Sequence, residues 1–185
     1  FTSTDSNNVQ QGSAGFRIEG VLNDNGTDIL TTIVLRETGK KEVNCNGLFY
    51  EKFSQHIGKY PCVVIAPDDV VLIIGGSEGR RKFLDTLLSQ LDTDYLQQLI
   101  TYNKVLQQRN SYLKQAAQTQ TKNNELLDVI DDQLLKAGNF IFHKRKEFLP
   151  QFNQQVTAFY TTIAGKAENI KVDYESQLLE ESFDN

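Results

Sequence analysis

Arg80, Arg81 and Lys82 stand in a row just after the stretch Gly75-Gly76-Ser77-Glu78-Gly79. The apolar spacing that follows is helical, so these cations fall in the first turn of a helix, with Ser77 as its expected N-cap. Guanidinium groups grip phosphate with two parallel hydrogen bonds, and a helix start adds free backbone N–H donors. The chemistry on offer is therefore the holding of a DNA or nucleotide phosphate. The same three charges oppose the positive end of the helix dipole, so they call for an anion nearby. Asp68 and Asp69 could supply it instead, locking the helix onto the segment before it. The spacing leaves both readings open.

A second basic cluster comprises Lys136, Lys144, Arg145 and Lys146, with His143 among them. On a helix, residues 136, 143 and 146 approach one face, which would give either a stripe facing DNA or a solvated face. Arg109 falls on an apolar seam, where it would either make a polar contact to the head or a partner, or pair with a carboxylate such as Asp128 or Asp131 and so help fix the helix register. No catalytic residue is assigned, because nothing arranges Asp68, Asp69 and Asp85 around a substrate. His56 and His143 lack cysteines or carboxylates at ligand spacing, so no metal site is expected. Cys45 and Cys62 are too few for a disulfide framework and are expected as free thiols in a reducing compartment.

The elements that must position these residues change character along the chain. Residues 1–15 are polar and form a lead-in. From residue 16 the apolar period is two, interrupted by turn signals at Asn23–Gly26, Thr38–Lys41 and Asn46-Gly47, which predicts an antiparallel meander over roughly 16–50. A short helix is expected over 51–57. The run "CVVIAP" at 62–67 predicts a fully buried strand, and "DDVVLIIGG" a helical turn leading into the glycine pair. From residue 77 the period becomes helical. Tyr95, Leu99, Tyr102, Leu106, Arg109 and Leu113 form one heptad seam, and Leu127, Ile130, Leu134, Ala137, Ile141, Lys144 and Phe148 another. The polar stretch 118–124 is the tip between them, and Pro150 is expected to kink or restart the second helix. Residues 170–176 alternate again, as a returning strand, before an acidic tail. The predicted layout is a lead-in at 1–15, a partial sheet region at 16–76, a helical arm at 77–166, and a returning strand and tail at 167–185.

With 185 residues, 39% hydrophobic and 23% charged, the composition is that of a globular chain large enough for a core. The net charge of −5 argues against polyanion binding by the whole surface but allows a local basic patch. No apolar run reaches the length of a membrane span. The absence of methionine and the start at Phe1 predict a segment of a longer protein.

Residues 63–114 carry a resemblance. Pro67-x-Asp69-x-x-Leu72-Ile73-x-Gly75 is followed by Arg80-Arg81-x-Phe83-Leu84-Asp85, then by Tyr95-x-x-x-Leu99-x-x-Tyr102-Asn103-Lys104-x-Leu106-x-Gln108-Arg109-Asn110. These segments, in this order, resemble the bacterial RecF family of recombination mediators. The stretch 126–150, with Gly138, Ile141, Arg145 and Phe148, and the Asn46-Gly47 to Gly58 stretch resemble the same family. The resemblance covers roughly residues 40–176. It implies an α+β fold: the antiparallel β-meander of an ABC-ATPase-type head, as in structural-maintenance and Rad50 proteins, with an inserted antiparallel helical arm (lobe II). It also implies ATP and Mg²⁺ as cofactors of the full-length protein, with weak DNA-dependent ATPase activity and an ATP-dependent homodimer. Implied partners are DNA at gaps or single-strand/double-strand junctions, RecR and RecO, and RecA indirectly, in the cytoplasm and on the nucleoid during the SOS response. The chain departs from the family in having no G-x-x-x-x-G-K-[ST] phosphate loop, no signature motif and no Walker B carboxylate. No nucleotide-binding residue is therefore expected within it. The competing reading is a helical protein-interaction module without direct DNA binding.

Overall fold

The computed structural model describes residues 4–120, 123–166, 168 and 170–180. Two compact units divide it, residues 1–61 and 62–185. The boundary thus falls before the apolar 62–67 run, not after the glycine pair.

The first unit is a four-stranded antiparallel sheet in the order β1-β2-β3-β4: β1 Phe16–Asp24, β2 Thr27–Leu35, β3 Lys41–Cys45 and β4 Leu48–Phe49. Two of its turns follow from the Asn-Gly pairs. Asn25 and Gly26 have φ of 50° and 86°, and Asn46 and Gly47 have φ of 50° and 82°. Consecutive positive φ values suit the right-handed strand twist of a two-residue hairpin, and Asn-Gly tolerates them best. Pairing of Phe16 with Leu35, and of Ile33 with both Ile18 and Val43, puts Phe16, Ile18, Ile33, Leu35 and Val43 on one face. Leu35, Val43 and Cys45 are buried there, with Thr31. The helix expected over 51–57 is reduced to a 3-10 turn at Phe53–Gln55.

The second unit begins with residues 62–66, which pair with no strand among the described residues. Val63 and Ile65 are 84% and 87% exposed, so the buried strand expected here is not formed. A 3-10 turn at Pro67–Val70 leads into a single helical turn, α1 Val71–Ile74. Three longer helices follow: α2 Ser77–Leu91, α3 Thr93–Thr119 and α4 Asn124–Ala164. Gly76, not Ser77, occupies the N-cap of α2. Asp92 separates α2 from α3 and caps the latter, its side chain accepting from the Tyr95 N–H at 3.0 Å. Asn123 caps α4 in the same way through Leu126.

At 41 residues α4 is about 60 Å long, and it runs on through Pro150 without the expected restart. The core sits where α2, α3 and α4 meet. Leu88, Tyr95 and Ile141 form its centre, with Leu84, Leu99, Tyr102, Phe140 and Phe148 packed around them.

The returning strand expected at 170–176 is absent from the described residues. Its backbone is engaged by a helix side chain instead. Asn153 of α4 donates to the Val172 carbonyl at 2.8 Å and accepts from the Val172 N–H at 2.9 Å. The Tyr174 ring packs on Phe142 at 6.0 Å. The last residues of the acidic tail, 181–185, lie outside the described residues.

Candidate nucleic-acid interface

The first cation cluster takes its position from the joint between α1 and α2. Gly75 ends α1 and Gly76 starts α2 from extended backbone. The Arg80 guanidinium turns back and donates to the carbonyls of Gly75 at 2.8 Å and Leu72 at 3.3 Å. Those carbonyls belong to the C-terminal, negative end of α1, so the cation offsets the preceding turn's unpaired acceptors. Arg81 donates to Ser77 Oγ at 2.7 Å within its own helix.

Neither arginine meets Asp68 or Asp69. Asp69 is taken up locally, accepting from the Ala66 N–H at 2.8 Å. The expected ion pairs are therefore not formed, because a capping bond three residues away uses the carboxylate first. Arg81 and Lys82 are exposed and form no ion pair among the described residues.

The second cluster is arranged quite differently. Lys136 pairs with Asp132 one turn earlier, at 2.7 Å. Lys144 reaches across to Asp92 at 2.7 Å, joining α4 to the cap of α3. Bonds from Lys144 and the Tyr95 N–H hold the Asp92 carboxyl below its ordinary range. Lys146 lies 5.8 Å over the Phe142 ring.

Arg145 enters the core. It donates to one Asp85 oxygen through Nε at 3.0 Å and Nη2 at 2.6 Å, and the Tyr95 hydroxyl donates to the same oxygen. The side chains of Arg145 and Asp85 are only 16% and 19% exposed, and Tyr95 is fully buried. Burial disfavours the guanidinium charge, but the bonds to Asp85 and Tyr95 outweigh it, so Arg145 stays charged. Burial first, then the bond to Asp85, pushes the Tyr95 phenol well above its ordinary value, and it stays neutral.

Nearer the tip of the arm, Arg109 of α3 meets Asp131 of α4 through Nε and Nη2. The sequence showed Asp85 as the end of the Arg80–Asp85 motif and assigned it no partner. Its true partner lies 60 residues away, and no local spacing announces it.

A cleft of about 290 Å³ opens beside this network. Arg81, Tyr102, Asn103 and Arg145 give it polar walls, and Phe142 and Tyr174 an apolar one. Among the described residues no group of histidine, cysteine and carboxylate could hold a metal, and no helix is long and apolar enough to cross a membrane.

The Gly75–Lys82 stretch does not fit a nucleoside triphosphate. It has no lysine followed by a hydroxyl residue, and its first guanidinium is spent on backbone carbonyls.

An antiparallel meander followed by a long helical hairpin is the α+β arrangement of an ABC-ATPase-type head with an inserted arm. No family model matches the chain. It is 42% identical over 176 residues to the DNA replication and repair protein RecF of Flavobacterium johnsoniae, covering 95% of this chain and 49% of that one. It is 38% identical to RecF of Phocaeicola vulgatus, also over 95% of this chain, and 47% of that one. Two solved structures of the recombination mediator protein RecF, in its ATP and ATPrS forms, match the fold. Their TM-scores are 0.84 and 0.81 at 26% and 27% identity, covering 98% and 88% of this chain and 51% and 44% of theirs. Over most of its length the chain is a homologue of RecF proteins, and it spans about half the length of the curated relatives it matches.

Proposed function

We propose that this chain supplies the helical arm and part of the head of a RecF-type, ATP-dependent DNA-binding protein acting in recombinational repair and replication restart. The carrying observation is identity of 42% spread along 176 residues, not concentrated in one motif, on a fold matching solved RecF chains. In this reading the whole protein binds ATP with Mg²⁺ and dimerises on it. It acts with RecR and RecO at gapped DNA to help load RecA, in the bacterial cytoplasm on the nucleoid. Nucleotide contacts come from residues outside the present sequence.

Within the chain, DNA phosphate is assigned first to Arg81 and Lys82, with Arg80 fixing the joint that presents them. Lys136, Lys144, Arg145 and Lys146 are already engaged by carboxylates or a ring. They rank behind, because taking up phosphate would break those contacts.

That engagement also favours the second reading, an arm that binds partner proteins without touching DNA. Salt dependence separates the two. Binding of a fluorescent gapped duplex to the 185-residue chain should weaken steeply with salt. Charge reversal at Arg81 and Lys82 should lower the slope by about two, one per lost phosphate contact. An unchanged affinity and slope in the reversed variant would remove DNA contact from these residues.

A further inference from the structure

A cluster of titratable side chains in the first unit takes no part in the arm. Cys45, on β3, is buried at 8% exposure. The Lys59 ammonium donates to Cys45 Sγ at 3.6 Å and to the Tyr50 hydroxyl at 3.3 Å. It also lies 5.9 Å over the Tyr50 ring and 5.6 Å over the Tyr60 ring. His56 stands between those two rings, 5.6 Å from each.

The charged groups facing the thiol are thus one ammonium, with an imidazole and two phenols around it. Lys59 forms no ion pair with a carboxylate among the described residues, so no fixed anion competes with the sulfur for its charge. Burial and the Lys59 charge hold the His56 imidazole below its ordinary value, which keeps it neutral near pH 7. For Cys45, burial raises the thiol, but the hydrogen bond from Tyr50 and the Lys59 charge outweigh it. A thiolate is the reactive form of cysteine, and an adjacent ammonium is one of the settings that stabilise it.

We propose that Cys45 is a modification site, a lysine-paired thiol that reacts with small electrophiles such as hydrogen peroxide. The thiolate sulfur attacks one peroxide oxygen. The S–O bond forms as the O–O bond breaks, sulfur loses two electrons, and hydroxide leaves and takes a proton from water or Lys59. The product is a sulfenic acid. Burial of Cys45 restricts the site to small reagents, whereas Cys62 is exposed and carries no such pairing.

The test uses the 185-residue chain with Cys62→Ser, so that Cys45 is the sole thiol. Iodoacetamide labelling is followed by mass spectrometry as pH is varied. The labelling midpoint should fall below the ordinary cysteine value of about 8.5. Lys59→Met should raise the midpoint by about one unit, cutting labelling near neutral pH roughly tenfold, while the limiting rate at high pH is kept. Lys59→Arg, which keeps the cation, should restore a low midpoint. Peroxide followed by dimedone should tag Cys45 faster in the parent than in Lys59→Met. A midpoint at or above the ordinary value and indifferent to Lys59→Met would overturn the proposal, as would a folded chain whose Cys45 takes no label at any pH.

Discussion

The buried network of Asp85, Tyr95 and Arg145 should behave as a unit whose parts are worth more together than singly. Asp85→Asn keeps the shape of the side chain but leaves the Arg145 guanidinium in the core without its counter-charge. Breaking a buried pair from one side costs about 3–5 kcal/mol. These side chains keep 16% and 19% of their exposure, so water can reach them and the low end, about 3 kcal/mol, applies. Arg145→Met should cost about as much, since it strands Asp85 with one remaining donor.

Replacing the pair by Asp85→Leu and Arg145→Met together removes both charges. The main residual cost is then the Tyr95 hydroxyl, left without an acceptor at about 1–3 kcal/mol. Adding Tyr95→Phe should recover much of that. At about 2–4 °C per kcal/mol for a chain of this size, each single variant should melt roughly 6–12 °C lower. The double variant should melt higher than the sum of the singles predicts. Far-ultraviolet circular dichroism reports this directly, because the signal comes mainly from the helices that the network joins. If the single substitutions cost under about 1 kcal/mol, or simply add in the double variant, the network does not hold the arm's root and the reasoning fails.

Four further outcomes follow from other residues. Asp92→Ala removes the N-cap of α3 and should cost about 1 kcal/mol in urea denaturation, while Asp92→Ser, which can still cap, should lose less. The depressed Asp92 carboxyl also sets a pH dependence. Its folded-state value lies below the unfolded one, so its contribution is complete above the ordinary Asp value of about 4 and fades as pH falls through the folded value; Asp92→Asn should flatten that part of the acid limb in a stability titration. Pro150 sits inside α4 without an N–H to donate, so Pro150→Ala should stabilise the helix by up to about 3 kcal/mol, read as a higher melting temperature. Ile65→Asp with Ile73→Asp should change stability by no more than about 0.5 kcal/mol, because both side chains are more than four-fifths exposed, and should reduce self-association in light scattering; a large loss of stability would mean that these residues are buried after all.

The parts of this fold that were legible in the sequence are those governed by neighbours a few residues apart. The Asn-Gly pairs announced their hairpin turns, and the 3-4 spacing the arm. What was not legible depended on who comes to meet an element. "CVVIAP" has the composition of a buried strand, yet composition asks for a cover without naming one, and here the run is exposed. Residues 170–176 alternate like a strand, but Asn153 takes up the Val172 backbone and no ladder forms. Asp69 was expected to meet an arginine eleven or twelve residues on and instead capped a backbone N–H three residues back, the shorter loop being cheaper to close.

The three cations opening α2 show how the two kinds of information divide. Read along the chain, they look misplaced on their own helix dipole. In space, Arg80 serves the carbonyl end of the preceding turn, and only Arg81 and Lys82 remain turned outward. The same division runs through the motifs that carry the family resemblance. Asp85 closes the Arg80–Asp85 motif, Tyr95 opens the Tyr95–Asn110 motif and Arg145 lies in the 126–150 stretch, and all three meet at one buried oxygen. Arg109 of the Tyr95–Asn110 motif likewise finds Asp131 on the opposite helix. Several of the residues that make this chain recognisable are therefore those that fix the arm to its root and set its register. A ligand-contacting residue can be exchanged when the ligand is met differently, whereas a one-sided change in a buried ionic network costs several kcal/mol at once. Function is thus to be sought at the exposed cations within these motifs, Arg81 and Lys82, and not at the motif residues that are most deeply buried.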